Sequence, residues 1–324
     1  MRKKTGRMPM KSLSLKETAG KLLSQDGFLL VTHRNPDGDT LCSAAALCSA
    51  LRRAGKAAFL FCNPQITEKY DLFVHKYLQE KTDDLPSYTI AVDTATKELL
   101  SEGYSGEVDL CIDHHPTNSF YATETIVWPE KAACGEIILK LIEELHQGLT
   151  KEEADLLYIA LSTDCGCFQY ANTNSDAFLA AARLVQYGAD NAHLNIPFFR
   201  KVSRQRVTLE GMIYAGLTYY REGKVVIAAV TREMMDRSGA TEDDCDDLAA
   251  IPGRVQGEIV GITIREMEDG TSKISVRTTE EVSAISICAA FGGGGHEMAA
   301  GCRINAGVER AKELLLAVVD EVYQ

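Results

Sequence analysis

The sequence predicts an α/β protein: a parallel sheet with flanking helices, followed by a smaller α+β region. Three observations carry this. Short apolar runs of strand length alternate with amphipathic stretches of helical length through roughly the first 190 residues. Acidic residues recur directly after those apolar runs, as they do where a parallel sheet presents a ligand site. The chain then restarts near residue 221 with a different order, strands first and helices last.

The elements follow in order. FLLVT (28–32) is a buried strand, and TLCSAAALCSALRRAG (40–55) is a helix stopped by Gly55. AAFLFC (57–62), YTIAVDT (88–94) and VDLCID (108–113) are further strands, the last two ending in an acid. ACGEIILKLIEELHQG (133–148) is amphipathic, with Gly148 as its C-cap. Thr150 and Glu153 make a capping box for a helix running into LYIALSTDCGCF, and SDAFLAAARLVQYG (175–188) is another. The alternation implies helices on both faces of the sheet. Residues 191–220, with Pro197, read as a partly helical connector. KVVIAAVT is a strand, and EIVGITIREMEDGTSKISVRTTE is a hairpin turning at Asp269-Gly270. SAISICAAF and VERAKELLLAVVDEVY are helices. The organisation is 1–190, a connector 191–220, and 221–324.

Composition narrows the function classes. A chain of 324 residues with 45% apolar and 25% charged residues has ample core for two domains. No apolar run reaches the length of a membrane span. The basic start, MRKKTGRMPMKSLSLKE, lacks the apolar stretch of a secretory signal and reads as a solvated tail. A net charge of −12 argues against a long nucleic-acid track, which needs a basic face. Ten cysteines without a CxxC pair read as small hydrophobes in a reduced, cytoplasmic protein.

Four segments deliver His and Asp to the predicted strand ends. They are HRNPDGD (33–39), VDT (92–94), DHHPTN (113–118) and STD (162–164). Each alone is ordinary: Pro, Asp, Gly and Asn favour turns, and an Asp after a strand often caps a helix. Together they offer His33, Asp37, Asp39, Asp93, His114 and Asp164 as imidazole and carboxylate donors for divalent metals.

This set resembles the four motifs of the DHH phosphoesterases, and FGGGGHEMAAG (291–301) resembles the glycine-rich motif of the DHHA1 domain that follows them. The match spans nearly the whole chain. Length and domain order resemble the group that clears short oligoribonucleotides and 3′-phosphoadenosine 5′-phosphate (pAp). The resemblance implies a DHH domain and a DHHA1 domain across a cleft. It implies two Mn²⁺ ions, with Mg²⁺ or Co²⁺ as alternatives. His33, Asp37 and Asp93 would hold one, and Asp39, Asp93, His114 and Asp164 the other, so that the pair activates a water. His115 would contact the phosphate and Asp113 would orient a histidine. Asn118 would either contact substrate or bond within its own loop. Arg277 would take a terminal phosphate, and Gly293, Gly294, Gly295 and His296 would form a substrate-binding loop between helix-like segments. Where the family often has Thr after the fourth motif, this chain has Cys165, read as a bystander. The resemblance also suggests a homodimer. A manganese pyrophosphatase and a non-catalytic nucleotide sensor are the competing readings.

Overall fold

The computed structural model describes residues 11–79, 87–146, 148–245 and 247–323. The chain divides into two compact units between Lys201 and Val202.

The first unit runs β1 (Lys11–Ser12), α1 (Leu15–Ser24), β2 (Phe28–Val31), α2 (Gly38–Arg53), β3 (Ala58–Leu60), α3 (Glu68–Val74), β4 (Tyr88–Val92), β5 (Leu110–Asp113), β6 (Glu124–Val127), α4 (Cys134–His146), α5 (Lys151–Asp164), α6 (Ser175–Gln186) and α7 (Asn191–Leu194). Its six strands are all parallel, in the order β1-β6-β5-β4-β2-β3. β2, β4 and β5 are buried along their whole length, as strands covered on both faces must be. The second strand pairs with β3 on one side and β4 on the other, so the order reverses there. That is where an open α/β sheet forms a crevice at its carboxyl end.

Helices cover one face of this sheet, and not both as the alternation implies. Phe28, Leu30, Ile90, Leu110 and Ile112 pack with α2, α4 and α5 in the main core. The opposite face, with Leu29, Val31, Ala91 and Cys111, is covered by Leu100, Val108, Ala122, Phe61, Tyr104 and Tyr121. Those covering residues sit in turns and irregular segments. The crossover from β4 to β5 is made of a 3₁₀ turn, Lys97–Leu99, and loops. The sequence there, TATKELLSEGYSGE, has too few apolar positions at helical spacing to build more.

The N-terminal tail is also shorter than expected. Residues 1–10 lie outside the described part, but Lys11–Ser12 pair with β6 and Ser14 caps α1 in a capping box with Glu17. Thr150 and Glu153 form the capping box expected for α5. Residue 147 is not described, so the expected Gly148 cap lies at the edge of what is described.

The second unit holds α8 (Arg204–Ala215), β7 (Thr218–Tyr220), β8 (Val225–Val230), α9 (Arg232–Ser238), β9 (Val260–Glu266), β10 (Ser272–Thr278), α10 (Ala284–Ala289), β11 (Gly294–His296), β12 (Ala299–Ile304) and α11 (Val308–Val322). Its sheet is mixed, in the order β11-β12-β10-β9-β8-β7, with only β8 and β9 parallel. β9 and β10 form the expected hairpin, turning at Gly270 with φ 75°. One face packs on α10 and α11 through Ile262, Ile274, Val276, Ile287 and Leu315.

The expected connector is divided between the units. Phe198, in a π-helical turn at Ile196–Arg200, stacks on Tyr70 at 5.4 Å in the first. α8 packs through Leu209 and Ile213 against Ala228 and Val230 of β8 in the second. Of the expected glycine loop between helix-like flanks, the upstream flank is helical in α10, but the loop and its downstream flank are not as expected. Gly294–His296 is a strand, and AAGCRI (299–304) is the strand it pairs with. The alanines and glycines there carry no β-propensity signal, so sheet pairing overrides it.

Candidate active site

The first three motif segments sit at the carboxyl ends of β2, β4 and β5, beside the order reversal. The fourth is the last turn of α5. Each ligand candidate is set by local backbone chemistry. Asp37 is the N-cap of α2 and accepts from the Thr40 amide at 3.1 Å. Gly38, within the motif, is more than a turn residue: a Cβ there would lie 2.2 Å from Thr163 Oγ1. Only glycine lets the start of α2 approach the end of α5, which brings Asp39 and Asp164 together.

Both metal-site histidines are oriented through Nδ1. His33 Nδ1 donates to the Arg34 carbonyl at 2.8 Å, and His114 Nδ1 to the Lys131 carbonyl at 3.0 Å. Fixing Nδ1 leaves Nε2 for the acids. His33 Nε2 lies 3.6 Å from Asp37 Oδ1 and 3.8 Å from Asp93 Oδ2. His114 Nε2 lies 3.8 Å from Asp39, 3.4 Å from Asp93 and 3.7 Å from Asp164. His33, Asp37 and Asp93 lie close enough to hold one ion together, Asp39, His114 and Asp164 to hold another, and Asp93, His114 and His115 make a third such grouping.

Asp39 is almost wholly buried and accepts from the Cys134 amide at 2.6 Å, the Gly135 amide at 2.9 Å and the Ser43 hydroxyl at 2.9 Å. The amide end of α4 thus faces a carboxylate, the favourable polarity. Burial, and the Asp93 and Asp164 charges, still push the Asp39 carboxyl well above the usual range. Burial raises Asp164 to about 7, against the pull of His114. Burial opposes charge on His33 and His114 too. Asp37 and Asp93 outweigh it and lift His33 to about 9, while Asp93, Asp39 and Asp164 lift His114 to about 11. The cluster therefore keeps protons where cations would sit.

Asp93 tests whether the residues fit a metal. It is 3% exposed, and its Oδ1 is buried with no hydrogen-bond partner. Its φ is 56°, in the left-handed region. An unpartnered buried oxygen costs about 1–3 kcal/mol, and more when charged; left-handed backbone at a non-glycine adds strain. Both costs fall on the one carboxylate that faces His33, His114 and His115 together. A cation would give that oxygen a partner, so the donor set fits.

His115 behaves differently from His114. Its Nδ1 donates to Asp113 Oδ1 at 2.7 Å, which takes that nitrogen away from any metal. Although its Nδ1 also lies 3.5 Å from Asp93, the shorter bond decides its orientation. Its Nε2 has no partner among the described residues. Asp113 is fully buried and also accepts the His114 and His115 amides at 2.8 and 3.2 Å. Burial would raise its pKa, but these bonds and Asn118 hold it below the usual range. Asp113 is thus a positioning residue for His115.

Asn118 makes its bonds within its own loop, one of the two roles open to it. It is buried, its amide donates to Asp113 Oδ2 at 2.5 Å, and its carbonyl accepts the Phe120 amide at 2.7 Å. It supports the loop. Cys165 is buried, which lifts its thiol to about 12 and leaves it inert. Sequence reading missed Ser43, Asn63 and the Lys131 carbonyl. Asn63 donates to the His33 carbonyl at 2.9 Å. Ser43 lies one helical turn from Asp39 and could have been read from that spacing, whereas Asn63 and Lys131 reach their histidines from distant segments.

In the second unit, Arg277 stands exposed on β10 and His296 exposed at the end of β11. Gly293 passes so close to β12 that a Cβ would lie 2.3 Å from the Gly301 carbonyl.

Residues 28–161 match the DHH family, N-terminal domain, and residues 222–324 match the DHHA1 domain. The chain belongs to the DHH/DHHA1 phosphoesterase family and is a phosphoester hydrolase. It is similar to the bifunctional oligoribonuclease and PAP phosphatase NrnA of Thermus thermophilus, at 32% identity over 90% of this chain and 89% of that one. It is similar to the protein of the same description from Mycoplasma genitalium, at 24% over 91% and 94%. Its fold matches the crystal structure of an exopolyphosphatase-related protein from Bacteroides fragilis, with TM-score 0.85 and 20% identity over 95% and 96% of the two chains. No helix among the described residues is long and apolar enough to cross a membrane.

Proposed function

We propose that this hydrolase acts on short oligoribonucleotides and on pAp, using two Mn²⁺ ions. The observation that carries the two-metal reading is Asp93, buried, backbone-strained and with an unpartnered oxygen between ligand groups. Support for the substrates comes from the 32% identity to a relative described as an oligoribonuclease and PAP phosphatase. A homodimer and a cytoplasmic setting belong to the same reading, the latter in keeping with ten free cysteines used mostly as buried apolar residues.

His33, Asp37 and Asp93 would hold one cation, and Asp39, Asp93, His114 and Asp164 the other. Mixed imidazole and carboxylate donors suit Mn²⁺, with Mg²⁺ or Co²⁺ as substitutes. When bound, the cations would offset phosphate charge and lower the pKa of an attacking water. The chain's own groups do the rest. Burial opposes charge on His115, but Asp113 and Asp93 outweigh it and raise its pKa, which favours the imidazolium. With Nδ1 held by Asp113, that ring offers its Nε2 proton to a phosphate oxygen as charge develops there. Asn118 keeps Asp113 in place. Arg277 would take a terminal phosphate with its planar fork, and His296 with Gly293, Gly294 and Gly295 would contact the rest of a short substrate.

The test is a product assay on metal-stripped protein with Mn²⁺ restored. It offers pAp, a 5′-phosphorylated RNA dinucleotide, a long RNA and pyrophosphate in parallel. Turnover of the dinucleotide and pAp, with little on the long RNA, is the expected result. Turnover of pyrophosphate alone would make the protein a pyrophosphatase. Tight nucleotide binding without turnover would make it a sensor.

A further inference from the structure

Four strands of the second unit bring one residue each to a single row across the sheet. His296 on β11 pairs with Ala299 on β12, Ala299 with Arg277 on β10, and Arg277 with Gly261 on β9. Directly paired residues point to the same face. The next row on that face is Gly294, Gly301, Ser275 and Thr263, again paired in register. Small residues therefore floor the space around Arg277.

Glu258 fills the end of the row. Its Oε1 lies 2.5 Å from where a Cβ on Gly261 would be, and Pro252 Cβ lies 2.9 Å from the same point. The missing side chain of Gly261 is thus what admits the Glu258 carboxylate to this face. That oxygen is buried and has no hydrogen-bond partner. Burial, with no donor to offset it, raises the Glu258 pKa. Arg277 springs from the Cα opposite Gly261, about 4.5–5.5 Å across the strand pair. It is exposed, and among the described residues its guanidinium bonds to the Val276 carbonyl alone, at 3.0 Å. Among the described residues neither Glu258 nor Arg277 makes an ion pair.

Two unpaired groups of opposite charge thus share one face of adjacent strands. A guanidinium has five donors in a fork and can give one edge to a carboxylate while another meets a phosphate. A carboxylate beside a bound phosphate would repel it unless that guanidinium stood between them. We infer that Glu258 is a positioning residue for Arg277: it takes one edge of the guanidinium and turns the other toward the terminal phosphate of a short nucleotide. This rests on the reading of Arg277 as a phosphate contact. Gly261 makes the arrangement possible, because any side chain there would displace the carboxylate.

The experiment compares the dinucleotides pApA and ApA on the Mn²⁺-loaded full chain, in Glu258→Gln, Arg277→Ala and the double variant. Arg277→Ala should raise KM for pApA about tenfold or more, and by clearly more than it raises KM for ApA. Glu258→Gln should raise KM for pApA about threefold to tenfold at unchanged kcat, leave ApA alone, and add nothing in the Arg277→Ala background. Glu258→Ala, with its melting temperature recorded, should match Glu258→Gln. An equal rise for both dinucleotides would make Glu258 merely structural and overturn the inference. No effect of Glu258→Gln alongside a clear effect of Arg277→Ala would overturn it while leaving the Arg277 reading intact. No effect of Arg277→Ala would overturn that reading, and the role of Glu258 with it.

Discussion

The polar groups of the first unit and those of the second are held in opposite ways. At the ends of β2, β4 and β5, Asp39, Asp93 and Asp113 are buried and locked by backbone amides or by strain. On β10 and β11, Arg277 and His296 are exposed and have few bonds of their own. The first region is arranged before anything binds, and it stores unfavourable free energy in doing so. The second stores little and, on the proposed function, would take its order from a ligand. Preorganisation of this kind belongs where charge develops during a reaction, and adaptable groups belong where a substrate is gripped.

The largest way to break the contrast is Asp93→Asn. It should lower turnover by a factor of about 10³ or more, as expected when metal-assisted charge stabilisation is lost. In metal-free protein the same change should lower the melting temperature, because the imidazoles of His33, His114 and His115 lose the carboxylate that faces them. Calorimetry with and without Mn²⁺ reads both effects. A higher melting temperature in the metal-free variant would show that the buried carboxylate costs more than those contacts return.

Next in size is the pH response. His33, at about 9 in the folded chain against 6.5 unfolded, contributes stability that is full below pH 6.5. That contribution is lost as pH rises through 9. Asp164, raised from 3.8 to about 7, acts in the same direction over the lower window. Metal-free protein should therefore lose stability between about pH 4 and 9. Metal affinity should rise over the upper part of that range, since neutral imidazole is the ligand. Titration calorimetry in buffers of different ionisation enthalpy should detect proton release on Mn²⁺ binding. Binding without proton release would remove His33 and His114 from the ligand set.

Smaller again is Gly38→Ala, which sharpens the contrast by attacking geometry alone. The added Cβ would meet Thr163 Oγ1, and overpacking of this kind costs about 1–3 kcal/mol. Chemical denaturation measures the cost, and Thr163→Ala should restore part of it. If both single variants were as stable as the parent, α2 and α5 would not be in close approach.

What could be read from the sequence follows the same division. The ligand motifs were legible because each is short, contiguous and placed after a strand with few alternatives. Asp113 and His115 sit in one motif, and so their pairing could be anticipated. The Asn118 role could not be decided from spacing, because an Asn in a turn serves a loop or a ligand equally well. The Gly38 role was hidden because close approach to Thr163 depends on a helix 125 positions later, a separation read directly from the two residue numbers. In the second unit, the glycine run looked like a loop because glycine carries no strand signal. Its pairing with β12 is a long-range fact. Glu258 had no motif at all, and only the register of β9 with β10 sets Gly261, against which it packs, opposite Arg277.

The smallest expected effect is His296→Ala, and it probes the other side of the contrast. The side chain is exposed, in a short edge strand, and no hydrogen bond or ion pair engages it among the described residues. Its removal should change stability by no more than about 0.5 kcal/mol. A ligand-ordered group can still matter to binding, so KM for a dinucleotide should rise while kcat holds. His114→Ala offers the counterpart: its imidazole faces Asp39, Asp93 and Asp164, and its loss takes that contact from all three acids. That variant should lose both turnover and metal binding. If His296→Ala destabilised the fold as much as His114→Ala, both histidines would be structural, and the second unit would be as preorganised as the first.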